Sequence, residues 1–130
     1  MNERTGWDRR LSVTADGKGL VGHAGAVLLH KLADRVGLTQ ALGRLWPDGQ
    51  SATWRNRAHV LVALAAAIAY GARSLLEAER LQTHQAALFG AAPSDSTTHR
   101  ALAGLDEAML ARIAKMRAQV RRRLWRLLHL

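Results

Sequence analysis

The sequence predicts a mainly α-helical fold, and three observations support that expectation. Hydrophobic residues make up 48% of the 130 residues but aromatic residues only 5%, and Ala and Leu supply most of the apolar content, as in packed helices. Apolar residues recur at helical spacing in several segments. One short segment, RLSVTA at 10–15, instead alternates apolar and polar residues as a strand does. We therefore expect one helical domain with a short N-terminal strand and turn.

The elements of the first half follow in order. The strand would run into Asp16-Gly17, a turn dipeptide. A first helix is expected from Ala24 to about Gly37, because apolar residues recur every three or four positions between them. A second, shorter helix is predicted for 38–46, followed by a loop at PDGQSAT, 47–53.

Four further helices are predicted after this loop, one of them at 93–102, which is described below with its candidate contacts. Residues 57–71 are apolar on almost every side, which is typical of a central buried helix. Ser74 is expected to cap the next helix, with Glu77 at the capping-box position. Asp106 is expected to cap the last helix, whose apolar stripe should bury against the domain or a partner. The stripe consists of Leu105, Met109, Ile113, Met116, Val120, Leu124 and Leu127.

Several classes of function are disfavoured by what the sequence lacks. Cysteine is absent, which excludes disulfide frameworks and thiolate metal sites. The N-terminus has no signal-peptide pattern, and the most hydrophobic stretch, 59–71, is shorter than the roughly 20 residues that span a bilayer. The six histidines lack metal-ligand spacing, and no catalytic constellation is visible. We therefore expect a cytoplasmic protein without a cofactor of its own.

The segment GKGLVG, 17–22, is a literal GxGxxG between a predicted strand and a predicted helix. A dinucleotide-binding unit also needs a second parallel strand after that helix, whereas a helix is predicted there. The segment is better interpreted as a glycine-rich turn that lets strand and helix pack closely.

Positive charge is concentrated at the C-terminus. The formal net charge is +9, and +7 of it falls in 108–130, a segment without a single acidic residue. A local basic patch is typical of polyanion binding, and of nucleic acid in particular. The alternative is a solvated helix face that only keeps the protein soluble.

The segment PSDSTTHRAL, 93–102, predicts a helix capped by Ser94 or Asp95. Short hydroxyl groups at a free helix N-terminus bind phosphate, and Ser, Thr, His and Arg also reach base edges in the major groove. The composition fits the recognition helix of a helix-turn-helix unit as well as it fits an ordinary capped helix. The preceding connection is longer than the 3 to 4 residues typical of that motif. The candidate contacts are Ser96, Thr97, Thr98, His99 and Arg100.

The last helix offers a second candidate surface. Arg112, Lys115, Gln119, Arg122 and Arg126 fall on one stripe, with Trp125 at its end. Such a stripe is suited to a phosphate backbone, to an anionic membrane surface, or to solubility alone. We expect Arg112, Lys115, Arg122 and Arg126 to act as backbone clamps, and we disfavour the membrane because a protein core should claim the apolar stripe.

Three strings in the chain resemble a known family. They are VTADGKGLVGHAGAVLLHKLADRVGLTQAL (13–42), HVLVALAAAIAYGARSLLEAERLQ (59–82) and ALFGAAPSDSTTHRAL (87–102). Together they resemble the N-terminal region of bacterial insertion-sequence transposases of the DDE class, in particular the IS thirteen-eighty group.

That resemblance implies binding to the inverted repeats at the ends of an element, and therefore to double-stranded DNA. It is also compatible with a homo-oligomer. It also implies a downstream RNase H-like domain, whose three carboxylates hold divalent metal, with Mg²⁺ expected. No acid of this chain matches those carboxylates, so we carry over no catalytic residue and expect the chain to be catalytically incomplete.

The expected organisation is a strand and glycine-rich turn at 1–22, a helical DNA-binding domain at 23–105, and a basic amphipathic helix at 106–130 leading to a missing catalytic domain. The apolar stripe reaches the last residues without a stop signal, which favours a truncated chain. Two alternatives remain open from the sequence: a stand-alone DNA-binding regulator, and a helical protein-interaction module.

Overall fold

A computed structural model describes residues 23–46 and 57–129. These two ranges contain seven helices and no strand, which confirms the mainly α fold class. The predicted strand at 10–15, the turn at Asp16-Gly17, the glycine-rich segment at 17–22 and the loop at 47–53 lie outside the described residues.

The helices are α1 (Ala26–Arg35), α2 (Leu38–Gly43), α3 (Arg57–Ala69), α4 (Leu75–Thr83), α5 (Ala86–Phe89), α6 (Asp95–Ala103) and α7 (Glu107–Leu127). Six of them lie where the sequence predicts helix. The short α5 falls in the long connection between α4 and α6, for which no element was expected.

Most helix boundaries have a visible local cause. The backbone at Gly37 is left-handed with φ 78°, a conformation that glycine adopts without the clash of a Cβ, so α1 ends and α2 begins there. Ser74 Oγ accepts the Glu77 amide at 3.1 Å, and Asp106 Oδ1 accepts the Met109 amide at 2.7 Å. Both predicted N-caps are therefore confirmed.

Helix α3 is the centre of the fold. It packs against α1 and α2 on one side and against α4 and α6 on the other, so two three-helix groups share it. The first core cluster contains Ala58 and Val62 of α3 together with Ala33, Leu42 and Met116. The second core cluster contains Leu64 and Ala67 with Ala78 of α4. The predicted central buried helix is thus confirmed, although Ile68 near its end is 59% exposed.

The basic helix α7 docks on the first group of helices. It contacts α2, and its Met116, Ile113 and Val120 belong to the first core cluster or pack against it. The middle of the predicted apolar stripe is therefore buried, whereas Leu127 near the end is 46% exposed. After Val120, Leu124 is half-buried and Trp125 is exposed.

Candidate nucleic-acid interface

Helix α6 is held on the core by one face. Ala101 is buried, and Leu102 packs against the second core cluster. Ser96, His99 and Arg100 are exposed and share the opposite face, because residues three and four apart are neighbours on a helix. Helices α3, α4 and α6 also pack against one another, as the three helices of a helix-turn-helix unit do.

The connection between α4 and α6 departs from that motif. It runs from 84 to 94 and contains α5, where a helix-turn-helix has a turn of about 3 to 4 residues. Only the packing of three helices, and not the short turn, is shared with the motif.

The amide groups at the start of α6 are not free, which corrects the expectation of a phosphate-binding N-terminus. The Asp95 amide donates to Glu79 Oε2 of α4 at 2.9 Å, and the Ser96 amide donates to Asp95 Oδ1 at 2.6 Å. The Thr97 amide donates to Ser94 Oγ at 3.1 Å, and the Thr98 amide donates to the Ser94 carbonyl. Two carboxylates thus occupy the positions that a phosphate would take. The exposed side chains of α6, and not its first amides, are therefore available for contacts with a partner.

Two of the five candidate contacts on α6 do not face solvent as the sequence led us to expect. Thr98 is only 3% exposed, and its hydroxyl donates to the Ser94 carbonyl at 3.2 Å. Thr97 is half-buried, and its hydroxyl lies 3.0 Å from Ser94 Oγ. Both threonines stabilise the first turn, which leaves Ser96, His99 and Arg100 as the exposed set.

The predicted stripe on α7 is present as a continuous basic face. Arg112, Lys115, Gln119, Arg122 and Arg126 are all exposed. From Arg112 to Arg126 the face measures about 21 Å along the helix axis, which exceeds the roughly 12 Å width of the major groove of B-DNA. A helix of that reach can contact phosphates on both sides of a groove.

Arg123 belongs to a different environment from this basic face. A Cβ built at Gly37 would lie 3.1 Å from Nη1 of Arg123, so the guanidinium lies against the corner between α1 and α2. This corner is both the C-terminal end of α1 and the N-cap of α2, so the dipoles of the two helices act on the cation in opposite senses. Arg123 is therefore a docking residue of α7, in contrast to the four predicted clamps.

The two candidate surfaces are held by different parts of the core. Helix α6 packs on α3 and α4, whereas α7 packs on α2, and residues 104–106 join the two helices. The structure brings Ser96, His99 and Arg100 together, and it brings the four clamps together, each set on its own helix.

Comparisons with known proteins were made for the whole chain. No family model, curated protein or solved structure matches it. Within 23–46 and 57–129, no group of three or more His, Cys, Asp or Glu side chains could hold a metal ion. None of the helices in those ranges is long and apolar enough to cross a membrane.

His30, which lies on neither of the two candidate surfaces, has a shifted pKa. The His30 ring stacks on Phe89, with centroids 4.0 Å apart and planes 25° apart. Burial lowers the pKa of His30 below its ordinary value of 6.5; the Asp34 carboxylate partly offsets this by raising the pKa, and His59 adds a smaller lowering. The sequence offered no sign of this stack, because the two residues lie in different helices.

Proposed function

We propose that this chain is the DNA-binding N-terminal region of a DDE transposase, that it recognises the ends of its element, and that it is catalytically incomplete as it stands. The observation that carries DNA binding is the exposed basic face of α7. It concentrates positive charge along about 21 Å of one rigid helix, in a segment without an acidic residue. The identity as a transposase is supported by the resemblance of three strings of the sequence.

We assign different DNA contacts to α7 and α6. Arg112, Lys115, Arg122 and Arg126 contact phosphates and position the protein, while Ser96, His99 and Arg100 of α6 reach base edges. Phosphate contacts give affinity without sequence preference, so recognition of an element end depends on α6. The resemblance assigns the divalent metal to a catalytic domain outside this chain, and we propose that the protein acts in the cytoplasm.

The test is a titration of the chain against labelled terminal-repeat duplex and a scrambled duplex of equal length, at several salt concentrations. If four cations meet phosphates, log affinity falls with log salt at a slope of roughly −3 to −4. Tighter binding to the repeat supports end recognition. A slope near zero would contradict phosphate contacts by the four clamps. Equal binding to both duplexes would contradict recognition of the element ends.

A matched pair of variants separates the basic face from net charge. Replacing Arg112 and Lys115 with Gln should reduce the slope by about 1.8, since each lost phosphate contact contributes about 0.9. Replacing Arg117 and Arg121 with Gln removes the same charge from the same helix outside the face, so the slope should change less. Equal changes in the two variants would show that no particular face of α7 is used.

A helical protein-interaction module is the second candidate. Leu28 and Leu32 lie one turn apart on α1 and are 70% and 44% exposed, as a surface for another protein requires. This candidate predicts self-association or binding of a partner protein. It also predicts that the chain has no affinity for DNA, and the same titration tests that second expectation. A stand-alone regulator of the same DNA-binding chemistry is distinguished by whether a downstream reading frame encodes the three carboxylates.

A further inference from the structure

Trp125 is an unusual residue for the position that it occupies on α7. Ile113, Met116 and Val120 mark the direction in which the helix faces the core. At 100° per residue, Trp125 points about 150° away from that direction, and it is 49% exposed. Its indole therefore lies on the solvent side of the helix, where burial in the core does not explain it.

The surroundings of the indole are cationic. Trp125 lines a shallow surface cavity of ≈ 400 Å³ together with Gln119, Arg122 and Arg126. The Arg121 guanidinium lies 5.9 Å from the centroid of the indole ring, a distance typical of a cation–π contact. The site therefore combines a flat aromatic face, two further guanidinium groups and an amide on one side of α7.

We infer that Trp125 is a stacking platform for an unpaired nucleobase, with Arg122 and Arg126 holding the flanking phosphates. This inference rests on the proposed function, because it assigns part of the DNA contact to the end of the basic face. A nucleotide unites the two chemistries that the site offers, since its base has a π face for the indole and its phosphate is an anion for the arginines. Gln119 supplies an amide that can donate to and accept from a base edge.

The base must be unpaired for a geometric reason. In duplex DNA both faces of each internal base are covered by its neighbours, so a side chain on the outside of a helix cannot stack on it. A single-stranded segment or an overhang exposes the face. The site should therefore favour DNA with single-stranded character, whereas the four clamps contact any phosphate backbone.

The test compares a labelled single-stranded oligonucleotide with a blunt duplex, using the wild-type chain, Trp125→Ala and Trp125→Phe. Trp125→Ala should weaken binding to the single strand by about 5-fold to 150-fold, the range for loss of one stacked base, and should leave binding to the duplex nearly unchanged. Trp125→Phe retains an aromatic face and should lose less. Leu128→Ala, which trims another exposed apolar side chain at the same end of α7, should change neither affinity.

A spectroscopic readout accompanies the titration. Subtracting the emission of Trp125→Phe from that of the wild-type chain isolates Trp125 from the other three tryptophans, and stacking should quench this difference signal when the oligonucleotide is added. Far-UV circular dichroism checks that all variants fold.

The outcomes separate the platform from the proposed function. Binding of wild type to the duplex with no effect of Trp125→Ala on the single strand overturns the platform and leaves the proposed function standing. Equal losses on both DNA forms also overturn it, because they indicate a general contribution to the surface. Failure of wild type to bind any DNA rejects the proposed function itself.

Discussion

His30 shows how a single half-buried ring can make the stability of the fold depend on pH. Its pKa is lowered mainly by burial, so the folded chain favours the neutral ring and the unfolded chain takes up a proton more readily. The contribution of His30 is therefore fully present above pH 6.5 and is lost as pH falls through 6.5 towards the lowered value.

We expect the thermal midpoint of the wild-type chain to fall between pH 7.5 and pH 5, and His30→Phe to reduce that fall. Phenylalanine can still stack on Phe89 but does not titrate. His99→Phe, at an exposed position, is the control and should retain the wild-type dependence. If His30→Phe and wild type fall equally, the dependence arises from other groups.

At the residue scale, sequence reasoning succeeded where a role is local. Ser74 and Asp106 were predicted as caps, and Ser94 as one of two candidates, because a cap acts on amides two or three residues away. It failed for Thr98, which the sequence placed in an exposed first turn but which is buried. The local pattern of hydroxyl residues does not say which of them faces a neighbouring helix.

Among the elements, α6 differs most from its expected behaviour because Glu79 of α4 closes its N-terminus. The carboxylate satisfies an amide and also neutralises the positive end of the helix dipole. Sequence could not reveal this contact, because it joins residues 16 positions apart whose proximity depends on how α4 packs on α6.

We expect Glu79→Gln to raise the affinity for scrambled duplex by about 2-fold to 5-fold at low salt, the equivalent of one charge at a helix end. Glutamine retains an oxygen for the Asp95 amide but removes the negative charge near the backbone of DNA. Anisotropy titrations provide the measurement.

Glu77→Gln is the control for that substitution. It makes the same change of net charge on the same helix, but the Glu77 carboxylate accepts the Arg73 amide at 2.7 Å and not an amide of α6. An equal rise in both variants would attribute the effect to net charge and not to the end of α6.

The molecule as a whole is organised by the two sides of α3. Val62 and Leu64 lie about 200° apart on that helix and belong to different core clusters. The sequence predicted the burial of α3, but a helix that is apolar all round gives no direction for its neighbours. The assignment of α1 and α2 to one side, and of α4 and α6 to the other, therefore required the structure.

The docking of α7 depends on a small part of this core. Met116 is its one buried residue within the described part of the chain, at 6% exposure. We expect Met116→Ala to lower the free energy of unfolding by about 2 to 5 kcal/mol and to release α7 before the α3–α4–α6 group unfolds.

Urea titrations followed by circular dichroism and by hydrogen exchange of α7 amides measure both effects of Met116→Ala. Met109→Ala is the control: Met109 is half-buried and should cost about 1 kcal/mol, near the average for point substitutions. A single cooperative transition with equal losses in the two variants would contradict the separate docking of α7.

The corner at Gly37 places a restriction on how this chain can diverge. A side chain there would be strained by the left-handed backbone, and the Arg123 guanidinium would have to shift by a few tenths of an ångström to make room for it. Gly43 has open space around its Cβ position and carries no such restriction. Two glycines only six positions apart in the sequence therefore differ in the substitutions that they tolerate. A substitution at Gly37, unlike one at Gly43, would disturb the place where the basic helix docks.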